Sequence, residues 1–264
     1  MPSKKNDLSI PWLLAPDHVS SNRDHGFLHL IAMIAMVCDH VGVVLFPQYR
    51  FLRHIGRIAM PIYAYCVATG CVYTRKPLRY LRRLVLLALI TQPIYAYTMN
   101  HRVNAMFTYS LSQAPVRAVL NFCVKSWLGH PTILASLIFG MLICWSLRER
   151  QIVFAVAVGV LVWLLQKKLD YDWKAVALVV LFYVCCQKTW ISLPCVLAFM
   201  IWWSLQGGTI PLFGLKFNIQ IYAVFSLIPI YAHTQTGIHI PQWFNYTFYP
   251  LHMILIYLAK IFLL

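Results

Sequence analysis

The sequence predicts an all-α fold, a polytopic transmembrane bundle of about eight to ten spanning helices. Hydrophobic residues make up 61% of the 264 positions and charged residues only 11%, whereas soluble domains carry about 25% charged residues. The mean hydropathy is +0.68. Apolar runs of about 15 to 20 residues recur along the chain, long enough to cross a hydrocarbon core as helices. Together these observations exclude a soluble domain.

The chain divides into a polar arm, residues 1–26, and a single multi-span membrane domain, residues 27–264. Basic clusters, prolines and polar loops separate successive apolar runs, so each run is expected to form one helix. The expected spans are 27–46, 58–74, 81–98, 131–147, 152–166, 174–187, 190–205, 219–235 and 245–264. The segment 99–130 is aromatic but contains Pro115 and several basic residues. It could form an interfacial helix pair, a re-entrant segment or a tenth span.

The net charge of +15 invites a nucleic-acid interpretation, but most basic residues lie in short loops. Such residues are typical anchors at lipid headgroups, so the bilayer is expected as a partner and nucleic acid is not. The polar arm and the loop between the second and third spans hold eight basic residues, against three in the first loop. By the positive-inside rule, this asymmetry predicts a cytoplasmic N-terminus. The eight residues are Lys4, Lys5, Arg23, Arg75, Lys76, Arg79, Arg82 and Arg83, and the three are Arg50, Arg53 and Arg57.

Polar residues within the first two spans predict a reactive centre. His29, Asp39, His40 and Arg57 lie in stretches otherwise suited to hydrocarbon. A carboxylate at the centre of a spanning helix costs roughly 3 kcal/mol, so it usually faces a partner or a water-filled cavity. His29 and His40 share a helix face, roughly 16 Å apart along the axis. Arg57 follows the reversal of the chain and is expected to approach Asp39 and His40.

His40 is the strongest candidate for chemistry, because an imidazole can take a proton from a nucleophile and return it to a leaving group. Arg57 could hold Asp39 ionised or stabilise an oxyanion. The structural alternatives are a helix histidine bonded to a backbone carbonyl and an arginine that snorkels to the interface.

Three further groups are candidates. The basic patch Arg75, Lys76, Arg79, Arg82 and Arg83 could bind phosphates or serve only as an anchor. His252 follows an aromatic run about seven residues into the last span, and the Asp170–Tyr171–Asp172 cluster precedes Lys174. Neither an HExxH nor a CxxC motif occurs, so no metal is expected.

At DHVG, residues 39–42, followed by IGRIAMPIYAY at 55–65, the chain resembles the TraX family of conjugal-transfer membrane proteins. The resemblance implies acetylation of a pilin N-terminus with acetyl-CoA as donor, in a bacterial inner membrane. It implies catalytic roles for Asp39, His40, Arg57 and His252. It also implies that acetyl-CoA is bound by Arg75, Arg79, Arg82 and Arg83. Supporting roles are implied for His29, Asp170 and Tyr171. Gly56 and Pro61 match the family's GRxAxP motif.

The chain departs from the family pattern at two positions. His29 stands where Lys or Arg is usual, and Asp172 stands where Gly is common after the DY pair. Related membrane acyltransferases modify carbohydrates, so a carbohydrate is the alternative acceptor. A proton-coupled transporter and a non-enzymatic pilus assembly factor are the alternatives from other functional classes.

If His40 and His252 belong to one site, their ring centres should lie within about 12 Å of each other, a distance that a substrate or water could bridge. With a cytoplasmic N-terminus, an even number of spans would place both histidines near the same membrane surface. The sequence argument therefore favours ten or eight crossings.

Overall fold

A computed structural model describes residues 15–99, 101–129, 131–212 and 214–263. The predicted polar arm lies largely outside the described residues. The regular secondary structure of the described part is helical apart from one hairpin, in which β1 (Ile210–Leu212) pairs antiparallel with β2 (Leu215–Phe217). The all-α prediction is confirmed.

The helices follow the predicted spans closely over most of the chain. In order they are α1 (His25–Val44), α2 (Arg50–Gly56), α3 (Ala59–Tyr73), α4 (Pro77–Met99), α5 (His101–Gln113), α6 (Pro115–Gly129), α7 (Ile133–Arg148), α8 (Ile152–Leu165), α9 (Asp172–Cys185), α10 (Thr189–Ser204), a 3₁₀ helix (Ile219–Ser226), α11 (Leu227–Tyr231) and α12 (Gln242–Leu263).

Three helical segments within the described residues are long and apolar enough to cross a membrane: His25–Val44, Arg50–Tyr73 and Gln242–Leu263. Shorter apolar helices occupy Ile133–Arg148, Ile152–Leu165, Thr189–Ser204 and Ile219–Tyr231. This pattern is that of a multi-span membrane protein.

Two segments differ from a simple span. The expected span 219–235 forms a 3₁₀ helix and the five-residue α11, and the chain becomes extended at Ala232. The two helices still run back along α10, since the Asn218 N–H donates to the Ser204 carbonyl near one end and the Tyr231 hydroxyl contacts that of Ser192 near the other. The ambiguous segment 99–130 folds as a pair of helices, α5 and α6. Their Phe107 and Phe122 pack on Tyr97 of α4.

α3 lies at the centre of the bundle. It is apolar on nearly every face, which is typical of a helix surrounded by other helices, and it packs against α1, α7 and α9. Tyr65 of α3 is almost fully buried. Its hydroxyl donates to the Asn22 carbonyl at 2.5 Å, and its ring meets Phe182 edge-on. This contact attaches the chain just before α1 to the centre of the bundle.

α1 and α12 run in the same direction and in register. Gly26 packs on the Ile238 backbone, where an added Cβ would lie 2.7 Å from the Ile238 carbonyl carbon. Fourteen residues later in each segment, His40 contacts His252. Two spanning helices that run the same way are the first and last of an odd number of crossings. The parallel direction favours an odd number within the expected eight to ten crossings, and the count itself stays a prediction.

α4 shares this direction. Arg83 of α4 bonds Gln242 at the beginning of α12, while Thr98, near the end of α4, contacts Met253. We call the end of the bundle where α1, α4 and α12 begin the N-terminal end. Since Ile238, four residues before α12, packs on Gly26 at the start of α1, α12 begins further along the bundle than α1. This offset brings His252 to the depth of His40 despite the parallel arrangement.

Candidate active site

An ion pair joins the end of α1 to the start of α3. The Arg57 guanidinium lies 2.7 Å from Oδ1 of Asp39, with side-chain exposures of only 8% and 18%. A second nitrogen of Arg57 donates to the Tyr171 hydroxyl at 2.8 Å. The planar guanidinium can hold two partners at fixed positions, which an ammonium cannot do in the same way. The prediction that Arg57 approaches Asp39 is confirmed.

Gly56 explains why this pair can form. A Cβ at position 56 would lie 2.7 Å from both Cγ and Oδ1 of Asp39. Any side chain would therefore push the carboxylate away from Arg57. The Gly–Arg sequence of the motif combines a close backbone approach with the guanidinium that uses it.

His40 and His252 form the second part of the site. Nδ1 of His40 lies 2.8 Å from Nε2 of His252, and the ring centroids are 5.1 Å apart with near-parallel planes. The expected separation of less than about 12 Å is confirmed. Both residues are buried, and Tyr95 lies 6.4 Å from the His40 ring.

The bonding of the pair determines its tautomers. Nδ1 of His252 lies 2.9 Å from the Phe248 carbonyl, which can only accept, so this nitrogen carries the hydrogen. In a neutral ring Nε2 of His252 is then an acceptor, so Nδ1–H of His40 must donate to it. Nε2 of His40 consequently keeps its lone pair. The pair thus has one defined basic nitrogen.

The turn between α8 and α9 contributes Asp170 and Tyr171. Tyr171 and Asp172 have φ values of 62° and 54°, in the left-handed region that costs an L-residue roughly 1–2 kcal/mol. The Ser136 hydroxyl donates to the Asp170 carbonyl and helps hold the turn. Such strain is typical of functional segments, and here it aims Tyr171 at Arg57.

Burial raises the pKa of Asp170 to about 6, against the opposing effect of nearby Arg57. Asp39 adds to the upward shift. Near neutral pH the Asp170 carboxyl can therefore exist in both protonation states, unlike an exposed aspartate. The turn places a titrating group beside the Asp39–Arg57 pair.

The left-handed backbone also explains why Gly is common at the position of Asp172. We expect Asp172→Gly to stabilise the protein by roughly 1 kcal/mol, because Gly adopts this conformation without steric cost. The substitution also removes the contact between Asp172 and Lys174, which are 3.3 Å apart. Since the Asp172 side chain is half exposed, this contact contributes little to the free energy of unfolding. Thermal unfolding in detergent would measure the change. Asp172→Ala is the control, since it removes the same carboxylate but keeps the strain, and an equal gain there would contradict the explanation.

The basic patch does not touch the histidine pair. Arg75, Arg79, Arg82 and Arg83 are exposed at the N-terminal end, and Arg83 donates to the Gln242 side chain at 2.8 Å. His252 follows Gln242 by ten residues, so about 15 Å of helix separates the patch from the pair. His29 is also apart from the pair. It faces Tyr63, with 6.2 Å between ring centroids.

Sequence reasoning missed two tyrosines. Tyr95 of α4 lies edge-on to His40, and Tyr249 of α12 lies edge-on to His252 at 5.6 Å. Tyr249 belongs to the aromatic run before His252, whereas nothing in the local sequence distinguishes Tyr95. Within the described ranges, no group of three or more His, Cys, Asp or Glu side chains could hold a metal ion.

The family model described as TraX protein matches residues 25–260. The chain is 32% identical over 74 residues to the Probable fimbrial assembly protein FimC, serogroup H1, of Dichelobacter nodosus, covering 26% of this chain and 30% of that protein. It is 26% identical over 135 residues to Uncharacterized protein RP591 of Rickettsia prowazekii (strain Madrid E), covering 44% of this chain and 54% of that protein. The alignments thus span between about a third and about half of these curated relatives. No solved structure matches the chain.

Proposed function

This chain belongs to the TraX family, and we propose that it is a membrane acetyltransferase that moves an acetyl group from acetyl-CoA to the N-terminal amine of a pilin subunit. The observation that carries the proposal is the His40–His252 pair, in which Nε2 of His40 is unprotonated and can accept a proton. A buried imidazole oriented by a second imidazole, beside an ion pair, suits proton transfer during acyl transfer.

In the proposed reaction, Nε2 of His40 accepts a proton as the acceptor amine attacks the thioester carbonyl. The new C–N bond forms and the C–S bond breaks. The proton on His40 then passes to the sulfur of coenzyme A. His252 positions His40 and accepts the hydrogen bond from its Nδ1, which strengthens as His40 becomes positive. Arg57, fixed by Asp39 and Tyr171, supplies positive charge for the oxyanion of the tetrahedral intermediate.

The arrangement of the basic patch supports acetyl-CoA as donor. Arg75, Arg79, Arg82 and Arg83 would hold its phosphates at the N-terminal end. The acetyl group must then reach the histidine pair, about 15 Å further along α12. An extended pantetheine arm has a comparable length. The patch and the pair are therefore spaced as the two ends of this donor require.

The acceptor is proposed from the comparisons. One relative carries the name of a fimbrial assembly protein, and fimbriae, like conjugative pili, are polymers of pilin subunits. A pilin N-terminus offers an amine that can lose its proton to His40. Because the site is buried among apolar helices, a subunit held in the membrane could deliver its terminus directly.

Intact-mass analysis of pilins tests the function. Pilin from cells that express the wild-type protein should be heavier by one acetyl group at its N-terminus than pilin from cells that express His40→Ala. Unmodified pilin in both strains would refute the pilin acceptor. Acetylation of a glycan instead would identify the carbohydrate alternative.

A separate prediction concerns the effect of the basic patch on the KM for acetyl-CoA. Arg82→Ala combined with Arg83→Ala should raise the KM for acetyl-CoA about 100-fold or more and lower kcat less, because charge-assisted hydrogen bonds to phosphate contribute about 1.5–3 kcal/mol each. Lys167→Ala with Lys168→Ala removes two exposed charges at the turn after α8 and serves as the control. A topology reporter on each variant would detect the alternative, in which the arginines only anchor the helices and their loss alters insertion.

A further inference from the structure

Two buried polar atoms on α1 and α12 have no hydrogen-bond partner among the residues that the structure describes: Nδ1 of His29 and Oδ1 of Asn245. Buried polar atoms are nearly always bonded, because each unpaired one keeps the cost of leaving water without compensation. In the helices around a membrane site, lipid chains cannot supply the missing partners. The two atoms therefore indicate a polar occupant.

By helical position, His29 and Asn245 lie on the same faces of α1 and α12 as His40 and His252, with Tyr63 of α3 beside His29. We call the strip along α1 and α12 from these two residues to the histidine pair the groove. His29 precedes His40 by eleven residues, which rotates it by only about 20° around α1. Asn245 precedes His252 by seven residues, again about 20° around α12. His40 and His252 touch across the α1–α12 interface. His29 therefore lies on the side of α1 that forms this interface, and Asn245 lies on the corresponding side of α12.

His29 lies level with the inner edge of the basic patch, where Arg83 contacts Gln242, and Asn245 lies between that contact and the histidine pair. Along the helix axes, His29 lies about 16 Å and Asn245 about 10 Å from the pair, towards the N-terminal end. The contact between Arg83 and Gln242 lies about 15 Å from the pair in the same direction. A linear molecule that runs from the patch to His40 would pass both unpaired atoms.

We propose that His29 and Asn245 form a hydrogen-bonding subsite for the amide groups of the donor's pantetheine arm. The inference rests on the proposed function and names the part of the donor that this groove recognises. The arm contains two amides, each with one donor and one acceptor. Oδ1 of Asn245 accepts from an amide N–H, and Nδ1 of His29 bonds the second amide, either as donor or as acceptor according to its tautomer.

A peptide from the acceptor also contains amides, but the position of the groove favours the donor. The groove begins beside an exposed cluster of arginines at the N-terminal end, which suits the phosphates of coenzyme A and not an apolar pilin segment. His29 also need not be charged in this role. The replacement of the usual Lys or Arg by His is then compatible with donor binding.

Binding measurements on the purified full-length protein test the subsite. The variants are His29→Phe and Asn245→Leu, which keep the approximate shape of each side chain and remove the polar atoms. The control is Thr247→Val, an exposed position on the same helix whose hydroxyl bonds the Trp243 carbonyl. The probes are coenzyme A and its adenosine bisphosphate portion, which lacks the pantetheine arm.

Each subsite variant should weaken coenzyme A binding about 3- to 10-fold, the equivalent of one lost hydrogen bond, and leave the affinity for adenosine bisphosphate unchanged. The unfolding temperature of the ligand-free protein should not fall, because the lost atoms have no partner there. Thr247→Val should change neither affinity.

Four results would overturn the inference. Unchanged coenzyme A affinity in both variants, or equal weakening for both probes, removes the subsite and leaves the proposed function intact. A raised KM for pilin with unchanged coenzyme A affinity assigns the groove to the acceptor. Absence of coenzyme A binding by the wild-type protein rejects the subsite and the proposed function together.

Discussion

His40→Ala is expected to reduce acetyl transfer by about 10²- to 10⁴-fold, the usual contribution of a positioned general base. The protein should still insert and fold, because the small cavity left by the imidazole is flanked by other helices of the bundle. Initial rates of acetyl transfer with saturating acetyl-CoA measure this loss. The purified protein should first be checked for monodispersity.

His252→Phe separates the base from the residue that positions it. Phenylalanine fills the space of the imidazole ring but cannot accept the hydrogen that Nδ1 of His40 donates to Nε2 of His252. His40 is then free to adopt the other tautomer, with Nε2 protonated and unable to act as base. We expect a substantial loss of kcat, smaller than that of His40→Ala.

His54→Phe is the control for both histidine variants. His54 stacks on Tyr222 at 4.2 Å and has no contact with the pair. Activity near that of the wild type is expected there. If His40→Ala also retained near wild-type turnover, His40 would not be the base.

Breaking the Asp39–Arg57 pair should give the largest loss of stability. Asp39→Asn or Arg57→Gln leaves one buried charge without its counter-ion, which typically costs about 3–5 kcal/mol. The side-chain exposures of 18% and 8% leave little room for water to compensate. Thermal or denaturant unfolding should show both single variants well below the wild type.

The double variant Asp39→Asn with Arg57→Gln distinguishes structure from catalysis. With neither charge present, two neutral amides replace the ion pair, and stability should recover above that of either single variant. Activity should remain low, because no guanidinium is left to stabilise the oxyanion. Recovery of both stability and activity would show that the pair is only structural.

Arg57→Lys tests the geometry of the same group. Lysine keeps the charge but cannot bond Asp39 and Tyr171 through a rigid planar fork. We expect stability closer to the wild type than for Arg57→Gln, together with reduced kcat. An Arg57→Lys protein as active as the wild type would mean that charge alone is required.

The sequence alone determined the class of protein and most of the polar set. Long apolar runs with few charges identify membrane helices because insertion into hydrocarbon depends on local composition. For the same reason Asp39, His40 and Arg57 stand out: each is costly in its own span, whatever the rest of the fold. The approach of Arg57 to Asp39 followed from the short reversal between the first two helices.

Other features depended on the packing of segments distant in sequence. The loop before α12 packs on Gly26 and sets α1 and α12 parallel, which the count of spans did not predict. The Phe248 carbonyl determines the His252 tautomer and thus the basic nitrogen of His40. Tyr95 reaches the pair from α4, and much of the predicted span 219–235 is a 3₁₀ helix. Helix direction, axial offset and hydrogen-bond partners are properties of two segments together, so a local pattern in either one cannot specify them.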